Sequence, residues 1–316
     1  MKRKNILFFI RVLVGIGIIL ALFKFIPYSD LVRIYKGSIK FYFLFVFFIG
    51  ILSHIIGALR WGYILYSLGI KLKIREIIYA YFSSLFFNLF SPSTVGSDIF
   101  RGVALGWHYH NFFRFLPSVV LDRLSGVVGL SMLSLIGIIV GRNLIPDKRL
   151  FFILTIFLIV VLFSVCLILN KSFLKFLTRR LNKKNLKAKI LALGEGLSYI
   201  SHPYKVFTLS IVYSILGHLF TCVIYYLLSK AFFLNISILY FFIFVPITAF
   251  ISGIPITVVG MGTRDLAAVY FLSKIGVEKS VALSISLVIL FIALLIGISG
   301  GLIYVVVYHR WMERRA

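Results

Sequence analysis

Carboxylates are scarce in this chain: Asp and Glu number 9 against 34 Lys and Arg over 316 residues. So few acids leave little for chemistry that holds metal through several carboxylates, and no Ser-His or Cys-His spacing supplies a nucleophile with its base. Cysteine is nearly missing too. Cys166 and Cys222 sit inside apolar runs without a close partner, so neither a disulfide framework nor a metal site is expected. Polar surface is the third shortage. With 61% hydrophobic residues there is not enough of it to cover a soluble core, which excludes a soluble globular domain. The cationic excess would suggest nucleic acid in a soluble protein. In a membrane chain it marks cytoplasmic helix ends beside the anionic leaflet, so no nucleic-acid partner and no cofactor is expected.

What is present is membrane-length apolar sequence. Segments near 6–26, 41–60, 117–140, 150–170, 204–228 and 279–307 each reach roughly 20 residues, enough for about 30 Å of hydrocarbon. The basic start MKRKN resembles a signal peptide, but the apolar run after it is too long and lacks a small-residue cleavage site, which predicts an uncleaved first span. Two further apolar segments, 74–91 and 236–254, run into Pro-x-Thr-Val breaks. Short helices near 98–109 and 263–274 follow, so each pair reads as a re-entrant hairpin that dips in and returns.

The two breaks echo each other. Pro92-Ser93-Thr94-Val95, five residues and Arg101 recur as Pro255-Ile256-Thr257-Val258, five residues and Arg264, with Gly96 in the first interval and Gly260 and Gly262 in the second. The expected fold is therefore all-α and polytopic, with about six full transmembrane helices plus two re-entrant helical hairpins in an inverted repeat. One membrane domain divides into a first span and loop (1–40), repeat 1 (41–140, hairpin 74–110), a connecting span with a basic linker (150–202), repeat 2 (203–307, hairpin 236–274) and a tail (308–316). With both termini cytoplasmic, the inner ends hold roughly twice the Lys and Arg of the outer loops. The linker around 171–189 fits a solvated connector, and its cations also suit anionic headgroups.

The residues that suggest binding lie at the breaks. Ser97 or Asp98 and Thr263 are N-cap types, and a helix start held inside the membrane turns free amides toward an anion. Gly96, Gly260 and Gly262 allow backbone to approach a ligand closely. Arg101 and Arg264, about one turn in, suit bidentate contact with phosphate. Asp98, Asp122 and Asp265 accompany Arg101, Arg123 and Arg264; such charges are costly in lipid and line a protected cavity, or simply pin the hairpins as ion pairs. Arg60, in the run LRWGY, reads as an interface anchor with Trp61. His108 and His110 share a helix end without metal-ligand spacing, and His54 and His218 read as packed residues within spans. Gly297 and Gly301 form a small face for close helix packing.

Taken together, Asn88-x3-Pro92, Gly96-Ser97-Asp98-x2-Arg101, Asp122-Arg123-x2-Gly126 and Pro255-x4-Gly260-x-Gly262-x-Arg264-Asp265 resemble the family of lysylphosphatidylglycerol synthase transmembrane regions, also called flippase-like domains. The likeness covers nearly the whole chain. It departs in having Gly96-Ser97 where the family shows two glycines, and Asp265 where many relatives carry Glu. The resemblance implies an inner-membrane protein that moves or binds a phosphate-bearing lipid in a midplane cavity. The candidate headgroup residues are then Arg101, Arg264, Arg123, Asp98, Asp122, Asp265, Asn88, Pro92, Thr94, Gly96, Ser97, Pro255, Thr257, Gly260, Gly262 and Thr263. Membrane lipids with anionic headgroups are the expected partners, with a glycosyltransferase or lipid-modifying enzyme as a further one. The soluble lysyltransferase domain of the bifunctional members has no counterpart here, so lysyl transfer is not expected of this polypeptide. An intramembrane enzyme or an accessory subunit in lipid or glycan modification is the alternative.

Overall fold

The computed structural model describes residues 28–90, 100–101, 112–141, 148–169, 203–253, 257 and 261–308. Among the described residues there are nine α-helices and no strand. They are α1 (Tyr28–Gly37), α2 (Phe41–Ser67), α3 (Ile74–Leu89), α4 (Phe112–Val140), α5 (Lys148–Leu169), α6 (Pro203–Ala231), α7 (Ile238–Gly253), α8 (Thr263–Lys274) and α9 (Lys279–Ile303), the last continued by a wide turn, Tyr304–Tyr308. The expected first span, the 171–189 linker, nearly all of the 308–316 tail and most of both breaks lie outside the described residues. So does the short helix expected near 98–109, apart from Phe100 and Arg101.

Apolar composition and helix length go together here, because a chain in hydrocarbon must pair its backbone groups within each segment. Phe41–Ser67, Pro117–Val140, Tyr204–Ala231 and Lys279–Val306 are long and apolar enough to cross a membrane. These are the segments expected near 41–60, 117–140, 204–228 and 279–307. The helices α3, α7 and α8 fall where the hairpin arms at 74–91, 236–254 and 263–274 were expected. One element departs from expectation: residues 28–37, read as loop, form α1. Asp30 in its first turn and Lys36 in its last complement the helix dipole, and Leu31 is buried while Arg33 and Lys36 are exposed.

The antiparallel pair α2 and α6 forms the axis. The Ile39 amide at the start of α2 donates to the Ala231 carbonyl at the end of α6 (3.0 Å), and at the other end Leu68 and Ile70 share an apolar cluster with Val206. Accordingly α3 begins at the end where α2 stops, and α7 begins at the end where α6 stops. Each of these shorter helices then packs on the closing helix of the other half, α3 on α9 and α7 on α4.

Glycine makes both contacts close. A Cβ at Gly300 of α9 would run into the Phe82 carbonyl of α3, and one at Gly301 would lie 2.6 Å from the Phe86 ring. Gly297 meets Leu89 in the same way, so the small-residue face expected on this helix is indeed its packing face on α3. In the reciprocal contact Gly137 of α4 abuts the Phe242 backbone of α7, where an added Cβ would lie 2.8 Å from the carbonyl carbon. Pro246, four residues on, has no amide to give that carbonyl, so the helix lacks one of its own hydrogen bonds where the glycine approaches.

Candidate functional site

Asp122 organises the first charged cluster. Helix α4 carries it to the inside of the bundle, where its Oδ1 accepts from Arg60 Nε at 2.7 Å and its Oδ2 from Arg101 Nη2 at 3.2 Å. Arg101 is 3% exposed. Its guanidinium lies between two aromatic faces, 4.9 Å from the Trp61 ring and 4.7 Å from that of Tyr81, a cation–π arrangement that substitutes for lost water. The Trp61 indole N–H in turn donates to Ser118 Oγ at 3.3 Å, fixing the ring that α2 contributes. Arg60 lies over Gly126, where an added Cβ would sit 3.5 Å from the guanidinium Nη1, an ordinary contact. The Gly126 carbonyl accepts from Ser214 Oγ and meets His218 Nε2, both at 3.2 Å. Among the described residues this cluster holds two guanidinium groups and one carboxylate.

The second cluster forms at the start of α8. Gly262 takes a φ of 83°, open to glycine at little cost, and this turn sends its amide to Asp265 Oδ2 at 2.8 Å. Asp265, fully buried, also accepts from the Ser286 hydroxyl and from Arg264 Nη2 at 3.3 Å. Arg264 reaches the Ser286 carbonyl of α9 as well, at 3.5 Å, while its buried Nε has no hydrogen-bond partner among the described residues. Thr263 was expected as the helix cap. It is instead the first helical residue, because the positive φ at Gly262 puts the glycine at the cap, and its hydroxyl pairs with that of Thr257 at 3.1 Å. A carboxylate with three donors is a clasp. Asp265→Ala is therefore expected to destabilise the protein by about 3 kcal/mol, read from thermal unfolding in detergent, because it strands a buried guanidinium and an amide together.

The structure thus brings Arg101 to Asp122 and Arg264 to Asp265, and it holds the two arginines in separate sets of contacts. Arg60 stands about two turns before α2 ends, and Ser286 about two turns after α9 starts at the opposite end of the bundle. By helical rise alone the clusters are about 20 Å apart along the axis. Asn88, on α3, keeps a buried Oδ1 with no donor among the described residues, and Arg123 is half-buried one position beyond Asp122. Pro92, Thr94, Gly96, Ser97, Asp98, Pro255 and Gly260 lie outside the described residues, as do His108 and His110.

One further reading changes with the fold. The pairing of Arg60 with Trp61 as an interface anchor does not hold, since Trp61 is fully buried and Arg60 bonds Asp122. The signal was the cation itself, placed inside a 27-residue apolar helix. His54 packs between the rings of Tyr81 and Phe82, as expected for a residue within a span. Among the described residues no group of three or more His, Cys, Asp or Glu is placed to hold a metal ion.

A helical, multi-pass membrane protein with ion pairs sunk in its core is the class that this architecture defines. The chain belongs to the lysylphosphatidylglycerol synthase TM region family, whose model matches residues 8–301. No curated protein matches it.

Proposed function

We propose that this protein moves a phosphate-bearing lipid, of phospholipid or polyprenyl-phosphate type, across the inner membrane. The observation that carries the reading is the buried Arg60–Asp122–Arg101 cluster: its guanidinium groups are shielded from water, where an anion is held more strongly than at a surface. The family, tied to lipid handling by its name, supports it. So do the buried Nε of Arg264 and Oδ1 of Asn88, a donor and an acceptor with no partner among the described residues.

The architecture of this proposal is six spans and two re-entrant hairpins in an inverted repeat, 41–140 and 203–307, with both termini in the cytoplasm. The reciprocal packing of α3 on α9 and α7 on α4 supports it, as does the placement of the arginine clusters toward opposite ends. A headgroup enters at one cluster, crosses a cavity at the midplane and leaves at the other, while its tail stays in lipid. Rocking of one repeat against the other opens each side in turn. The break residues Pro92, Thr94, Gly96, Ser97, Asp98, Pro255 and Gly260 line the path with Thr257, Gly262 and Thr263, and a glycosyltransferase or lipid-modifying enzyme takes up the lipid.

Leaflet exchange tests this directly. Purified protein in vesicles containing fluorescent phosphatidylglycerol or polyprenyl phosphate is expected to expose the label to an external quencher, and Arg101→Ala and Arg264→Ala to slow exposure by about a hundredfold, given 2–3 kcal/mol per charge-assisted contact. Wild-type rates no faster than those of empty vesicles, across these lipids, sink the reading.

A further inference from the structure

Helices α1, α2 and α9 enclose an apolar groove of about 1010 Å³ that is lined by none of the residues of either cluster and plays no part in the proposed transport. Its walls include Phe47, Leu287, Phe291 and Leu295, and Lys36 and Lys40 stand at its mouth. From Ser284 to Leu295 the α9 wall runs about 16 Å by helical rise, close to the hydrocarbon depth of one leaflet. Lys36 and Lys40 are both exposed. The Lys40 ammonium lies 6.0 Å above the ring of Tyr35, and that ring stacks on Phe43 at 5.6 Å, so the cation is tied to the groove rim.

We infer that this groove is a binding site for a diacyl phospholipid with an anionic headgroup, its chains against α2 and α9 and its phosphate between Lys36 and Lys40. Two features of the molecule select this occupant. A groove with so apolar a lining and a leaflet's length suits acyl chains, while the cationic mouth sits at headgroup level and discriminates by charge. In the orientation proposed above, moreover, Arg33, Lys36 and Lys40 lie on the outer side, where the positive-inside bias disfavours cations. An anionic partner compensates for that placement. The groove shares no lining residue with the arginine clusters: Lys36 and Lys40 flank the start of α2, whereas Arg60 lies near its end, and Ser286 of the second cluster, at the same level of α9, is not part of the groove wall.

Native mass spectrometry of the full-length, delipidated protein in detergent decides the matter, with phosphatidylglycerol and phosphatidylcholine of identical chains as probes. One phosphatidylglycerol is expected to bind about tenfold more tightly than phosphatidylcholine, and Lys36→Ala/Lys40→Ala to remove that preference with melting unchanged. Leu287→Trp, which fills the groove, is expected to reduce binding of both lipids; if it does not fold, the surface double variant still answers. Equal binding of the two lipids by the wild type, or a preference that survives loss of both lysines, overturns the inference. A preference lost in Arg101→Ala but kept in the lysine variant overturns it too, and assigns the lipid to the transport cluster instead. Ready disulfide formation between Leu44→Cys and a cysteine introduced within residues 6–26 overturns it by putting the chain itself in the groove. Failure of leaflet exchange leaves this binding untouched, so the two proposals fall separately.

Discussion

Asp122→Ala is expected to destabilise the protein by about 4 kcal/mol, the largest effect of any single substitution in the charged clusters. Its carboxylate is the acceptor shared by Arg60 at 2.7 Å and Arg101 at 3.2 Å, and all three side chains are buried or nearly so. Removing one partner of a buried pair leaves a charge in low dielectric without compensation, and here one deletion affects two cations. The Trp61 and Tyr81 faces offset part of the cost for Arg101. Among the described residues no ring face covers Arg60, which is expected to draw water inward. Thermal unfolding in detergent, followed by tryptophan fluorescence, measures the loss. Asp122→Asn keeps one acceptor oxygen and should lose about half as much. Replacing Asp122, Arg60 and Arg101 together by apolar residues of similar size should recover most of the stability while abolishing lipid transport, because the penalty belongs to the stranded charges. Wild-type stability in Asp122→Ala would mean that the guanidinium groups are satisfied by solvent and that the cluster is open.

Gly300→Ala carries the second large effect, about 3 kcal/mol, from a single methyl group. That methyl would occupy the position of the Phe82 carbonyl, and backbone cannot turn aside as a flexible side chain can. Accommodation therefore requires α9 and α3 to separate along the seam where Gly297, Gly300 and Gly301 meet Leu89, Phe82 and Phe86. Separation forfeits close dispersion attraction between the two helices, which lipid replaces poorly. Gly217→Ala is the matched control, also in the middle of a long helix. Its nearest neighbour is Ser53 Oγ at 4.0 Å, so it should change stability by less than about 0.5 kcal/mol or raise it slightly. If both alanine variants melt alike, the tight α9–α3 seam is not what holds these two helices together. The seam also bears on transport, since α3 carries Asn88 and leads into the first break: its separation should slow leaflet exchange even where the protein stays folded.

The breaks, the paired arginines and the aspartates can be read from the chain because each violates a strong local rule. Proline and glycine interrupt an apolar run, and a charge at membrane depth has few explanations. The same logic applies to Arg60, whose position within a 27-residue apolar helix is as costly as that of Arg101. Its role is masked because tryptophan beside arginine is also the signature of a membrane interface, and sequence distance carries no information about which helix faces Asp122. The cap at Gly262 is hidden for a smaller reason: threonine is the better cap by type, and only the backbone turn at φ 83° gives the place to the glycine.

Composition determined that this protein lives in a membrane, since 61% hydrophobic residues cannot be kept from water, and apolar runs of roughly 20 residues determined that it crosses as helices, whose backbone groups bond within each segment. Local pattern determined where its helices break, where ionic groups enter, and its family. Which guanidinium shares which carboxylate, which glycine admits which carbonyl, and where α1 leaves a groove beside α2 and α9 were decided only in three dimensions. Those pairings join residues far apart in the chain, and the energy that selects them exists only once helices from both halves lie side by side.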